Sequence, residues 1–121
     1  MGANLCSTVA EGLAPKIIEL IGGGRVVLRI VSNLADERRA KATFLIPVRA
    51  LAYKGLDGMS VAKGIIEAYA MACEDHYRCS THNKGIMNGI DAADIAMGQD
   101  WRAIEAAAHA WACRTGRYQP L

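Results

Sequence analysis

Apolar positions at the start of the chain recur at helical spacing, with Leu5, Val9 and Leu13 four residues apart. Thr8-Val-Ala-Glu11 has the form of a capping box. Pro15 is expected to end or kink this helix near Ala14, because proline has no N–H and crowds the preceding turn. A further turn or two, Lys16 to Ile21, should stop at Gly22-Gly23-Gly24. The pattern then changes. Residues 25–31 are rich in β-branched side chains and alternate two by two, which predicts a strand, and residues 40–46 give a second strand candidate. Pro47 should start a short helix reaching about Tyr53, and residues 55–58 read as a turn. From Ser60 the set Val61, Ile65, Ala68 and Ala72 restores helical spacing to about Glu74. An alanine-rich helix is expected from Trp101 to about Arg114, ended by Thr115-Gly116. The fold class predicted is therefore α+β, helix-rich with a few strands.

Composition narrows the class. The chain has 121 residues, 52% of them hydrophobic, with a single Phe; the excess of small aliphatic residues favours close helix contact. A net charge of +2 with acids and bases interspersed leaves no stripe for nucleic acid. No apolar run approaches the ~20 residues of a membrane span, and the start lacks a secretory signal, so a cytoplasmic protein is expected. The four cysteines, at 6, 73, 79 and 113, and the three histidines, at 76, 82 and 109, have no metal-ligand spacing, so no metal is expected.

The chemistry concentrates in residues 81–101. Lys84 stands among small and apolar residues, with Gly85 and Gly89 nearby, and Asn88 lies one helical turn further on. A cation in such a setting calls for a carboxylate or an anionic ligand. A surface lysine on a glycine-containing helix is the plainer alternative. Gly98 interrupts the pattern, and Asp100 is placed to cap the helix opened by Trp101. Arg78 could pair with Glu74 or Asp75, and Asn33 could be an ordinary loop asparagine.

The run HNKGIMNGID, followed closely by GQDW, resembles the catalytic region of class II (bacterial and archaeal) 3-hydroxy-3-methylglutaryl-coenzyme A reductases. The resemblance extends through MGAN at 1–4, AEGLAP at 10–15, LRIVSNLADERRA at 28–40 and YRCSTHNKGI at 77–86, to WRAIEAAAHAWACRTGRY at 101–118. It implies an internal section of a two-domain reductase. Residues 1–32 would be the last part of the small cofactor domain, and 33–121 part of the large catalytic domain. It also implies NAD- or NADP-dependent interconversion of hydroxymethylglutaryl-CoA with mevalonate and coenzyme A, by two hydride transfers.

On this resemblance Lys84 would stabilise the substrate oxyanion and Asp100 would hold that lysine. Arg78 and Asn88 would orient the substrate acid, and Asn33 would lie near the reacting carbonyl. Met1, Gly2, Ala3 and Asn4 would contact the nicotinamide cofactor. A dimer with its active site near the subunit interface is implied. So is a proton-donor glutamate before Met1 and a thiolate-protonating histidine after Leu121, without which the isolated chain should be inactive. Two other readings remain: a catalytically incomplete remnant acting as a helix-rich interaction module, and a generic coenzyme A or nucleotide binder. The latter has no phosphate-loop motif in its favour.

Overall fold

The computed structural model describes residues 3–121. The chain divides into two compact units, Met1–Asn33 and Leu34–Leu121.

The first unit is built on one helix, α1 (Ala3–Ile21). It begins earlier than the capping-box pattern implies. Thr8 lies inside it, its hydroxyl donating back to the Asn4 carbonyl at 2.9 Å instead of capping a terminus. The helix also continues through Pro15. The carbonyl deprived of its partner belongs to Glu11, an exposed residue, so water can take the missing bond. The glycine stop holds. Gly22 adopts φ +73°, and the bonds Gly22 N–H to Glu19 C=O and Gly23 N–H to Ile18 C=O (both 3.3 Å) form a Schellman termination. The chain beyond lies along an open apolar groove with Leu13, Ala14 and Ile17, and Val31 N–H donates to Ser7 Oγ at 3.3 Å.

The two expected strands are not formed, and the α+β class is corrected to an almost wholly helical one. Among the described residues there is no sheet, only an isolated antiparallel bridge between Tyr53 and Leu56. The physical reason is the lack of a partner. β-branched residues favour a pleated surface only when a neighbouring strand takes their backbone bonds and packs their side chains. Here Val27 is 73% exposed and Leu45 96%.

The second unit stacks three helices: α2 (Gly58–Glu74), α3 (His76–Ala96) and α4 (Trp101–Ala112). A 3-10 helix, Val48–Leu51, follows Pro47 and packs on α2. Asp57 caps α2 by accepting from Met59 and Ser60 N–H at 2.9 and 3.0 Å. The Ser60 hydroxyl adds a 2.6 Å bond, and these bonds, Ser60's first, hold the Asp57 carboxyl below its ordinary range. Asp75 ends α2 and caps α3, accepting from Tyr77 N–H at 2.9 Å. α3 ends in a second Schellman turn at Gly98 (φ +68°), where Gln99 N–H reaches Asp94 C=O at 2.8 Å. Asp100 then caps α4 through Ala103 N–H at 3.1 Å, the role its position predicts. α3 contacts both neighbours and buries Cys79, Asn83, Met87 and Asp94 along one face.

Candidate functional site

α3 carries Lys84 and Asn88 on the flank of its buried stripe, each about 100° around the helix from the buried Asn83 and Met87 that precede them. Lys84 and Asn88 are both exposed, one turn apart. Lys84 has no carboxylate within 4 Å among the described residues, where the one close base–acid contact is His109 Nε2 with Glu105 Oε1 at 3.8 Å. The ammonium is therefore available to an incoming anion. Arg78 lies within the first turns of α3 and is half-buried. Six residues before Lys84, it stands about 120° around the helix. Lys84, Asn88 and Arg78 thus share one helix, although not one face.

Asp100 is elsewhere in the unit. The Gly98 turn sends α4 back along α3. Gln119 N–H bonds Ala112 C=O at 3.0 Å, and Gln119 C=O accepts from Asn83 Nδ2 at 2.9 Å. The end of α4 therefore lies beside Asn83, and its start, with Asp100, is a helix length (~18 Å) away. Asn33 and Asn4 are exposed residues of the first unit. Ala3 opens α1, while Met1 and Gly2, expected at the cofactor, lie outside the described residues.

Three polar features escaped sequence reasoning. Asn83, beside Lys84, is fully buried and bonded at both ends of its amide. Asp91 and Asp94 each keep one buried carboxylate oxygen without a partner among the described residues. Asp91 lies seven residues after Lys84, on the Lys84–Asn88 stripe. Two carboxylates three residues apart in an otherwise apolar run were the available signal. Last, the segment after α4 is no loose tail. Arg117 donates to Cys73 C=O at 2.7 Å, and Tyr118 OH meets His109 Nδ1 at 2.9 Å. Burial under this segment raises the Cys79 thiol above its ordinary range. The apolar groove between residues 34–40 and Trp111 holds none of Lys84, Asn88, Arg78 or Asp100, so it is not where this chemistry would occur. No cluster of three or more metal-ligating side chains occurs among the described residues, and none of their helices is long and apolar enough to cross a membrane.

The chain belongs to the hydroxymethylglutaryl-coenzyme A reductase family. The profile of that family, described as "Hydroxymethylglutaryl-coenzyme A reductase", matches residues 1–119. A 3-hydroxy-3-methylglutaryl-coenzyme A reductase of Archaeoglobus fulgidus is 54% identical, the alignment taking in 100% of this chain and 26% of that relative. Among solved structures, a reductase of the same description from Streptococcus pneumoniae matches with TM-score 0.81 at 45% identity, over 99% of this chain and 28% of that one. The class II reductase from Streptococcus pneumoniae bound to NADPH in open conformations matches with TM-score 0.80 at 45% identity, over 99% of this chain and 29% of that one. The chain thus spans between a quarter and a third of the length of these relatives.

Proposed function

We propose that this chain supplies the oxyanion-stabilising helix of a hydroxymethylglutaryl-CoA reductase, which interconverts hydroxymethylglutaryl-CoA with mevalonate and coenzyme A using a nicotinamide nucleotide. The observation that carries the reading is Lys84 with Asn88, one turn apart on an exposed flank of α3, with no carboxylate within 4 Å of Lys84 among the described residues. Each hydride addition to a thioester or aldehyde carbonyl leaves negative charge on oxygen. A fixed ammonium about 3 Å from that oxygen stabilises the charge as it forms. Asn88 can bond the substrate beside it, and the planar fork of Arg78 suits the carboxylate at the far end of the hydroxymethylglutaryl group. The nicotinamide nucleotide, when bound, supplies the hydride. Support for that cofactor class comes from the family and from the NADPH-bound relative. Asn4 and Asn33, with Met1, Gly2 and Ala3, remain the proposed contacts to it and to the reacting carbonyl. The first unit is the proposed share of the cofactor domain and the second that of the catalytic domain.

Asp100 lies too far along the α3–α4 hairpin to hold the Lys84 of its own chain. Its proposed partner is the Lys84 of a second copy, which places the reacting centre at a dimer interface. Two measurements on the complete reductase test this. Lys84→Ala should cost ~10²-fold or more in turnover, the scale of one lost oxyanion partner; a loss under about threefold would remove Lys84 from the mechanism. Mixing inactive Lys84→Ala with inactive Asp100→Ala should restore about a quarter of wild-type activity, because in a shared-site dimer half the molecules are mixed and each has one intact site. No recovery would return the pair to a single chain.

A further inference from the structure

Asn83 directly precedes the proposed oxyanion lysine, and none of its side chain reaches solvent. Its amide is committed at both ends to backbone 36–38 residues away in sequence. Nδ2 donates to Gln119 C=O at 2.9 Å, and Oδ1 accepts from Leu121 N–H at 2.9 Å. The side chain thus imitates a strand, pairing with the 119–121 segment as a backbone amide would. One turn earlier, Cys79 Sγ lies 3.8 Å from Tyr118 C=O and 3.9 Å from Asn83 Nδ2. The segment is tied down in turn by Gln119 N–H to Ala112 C=O, by Tyr118 OH to His109, and by Arg117 to the carbonyls of Cys73 and Glu74 at 2.7 and 3.3 Å.

The flank of this turn that carries Lys84 has no such support. Lys84 has no ion pair within 4 Å among the described residues, and Gly85 and Gly89 have open space where a Cβ would stand. Two glycines inside a helix make it locally easy to deform. A buried, doubly bonded asparagine next to the lysine supplies the stiffness those glycines take away. Breaking it would leave a half-buried C=O and a half-buried N–H to find other partners.

We propose that Asn83 is a positioning residue for Lys84, clamping the turn that carries the ammonium to the 118–121 segment so that its place relative to substrate is set before substrate binds. The inference rests on Lys84 acting as the oxyanion partner. Its signature is a dependence of turnover on Asn83 that exists only while Lys84 is present.

The test is a double-mutant cycle in the complete reductase: wild type, Asn83→Ala, Lys84→Ala and the double variant, with cofactor saturating and thermal melts on each. Asn83→Ala should lower kcat about tenfold with KM changed less than about twofold, since a slight misplacement of a catalytic group weakens transition-state contacts more than substrate binding. In the Lys84→Ala background the same substitution should cost less than about twofold. Equal losses in both backgrounds would overturn the positioning role while leaving Lys84 in the mechanism. Near-wild-type turnover by Lys84→Ala alone would instead remove the reading of Lys84, and the positioning role with it. Should Asn83→Ala fail to fold, Tyr118→Phe runs the same cycle, since it deletes only the His109 bond that steadies the segment. It should lower kcat about two- to threefold with Lys84 present and have no effect without it; an unchanged kcat with Lys84 present would overturn the proposal.

Discussion

α1 and α3 invert the usual relation between hydrophobicity and burial. α1 carries Leu5, Val9, Leu13 and Ile17 on one stripe, yet each is about half exposed, and Ala14 is its one buried residue with a described side chain. α3 is the more polar helix, yet it buries Cys79, Asn83, Met87 and Asp94. The difference lies in what the chain provides to cover each face. α3 has α2, α4 and the 117–121 segment against it, whereas within its own unit α1 is lined, among the described residues, by the irregular residues that follow it. An apolar stripe records a demand for cover, and burial records whether the demand was met. Polar groups can accompany the burial when each finds a partner, as Asn83 does with two backbone groups.

Two glycines test the contrast most directly. A Cβ on Gly58 would collide with the Val48 carbonyl, because the first turn of α2 presses on the 3-10 helix. Gly58→Ala should destabilise the second unit by about 1–3 kcal/mol, the usual cost of overpacking, measured by urea denaturation. A neutral result would mean that this contact is loose. In α1 the comparison reverses, since a Cβ on Gly12 would meet nothing within 4 Å. Gly12→Ala should stabilise α1 by about 0.5–1 kcal/mol through helix propensity alone. A loss of stability there would show that the open face of α1 is covered in solution.

The smallest expected effect separates the units by pH. Burial raises the Cys79 thiol above its ordinary value of 9.0, so the unfolded chain ionises first as pH rises. Stability from this group should be level below that value. It should then fall with rising pH until the folded thiol also ionises. Melting temperatures at about pH 8 and pH 10 should show the decline, and Cys79→Ala should make it shallower. An identical slope in the variant would mean that the thiol is not shielded by the segment over it.

Local chemistry made much of this protein legible from its residues. Asp100 caps α4, and Gly22 and Gly98 end α1 and α3, because capping bonds and positive φ depend on near neighbours. The long motif around Lys84 led to the family for a similar reason, since its order survives in a linear reading. Tertiary structure decided the rest. Residues 25–31 and 40–46 have strand-like composition but no strand, because a sheet needs a second strand that local sequence cannot promise. Thr8 looks like a cap and sits inside a helix, since the turn before it also proved helical. Which lysine Asp100 can meet is likewise a tertiary matter, since the direction of α4 carries it about a helix length (~18 Å) from the Asn83 end of the hairpin. Asn83 reads as an unremarkable neighbour of the lysine until residues 119–121 fold over it and supply two partners that no local pattern could reveal.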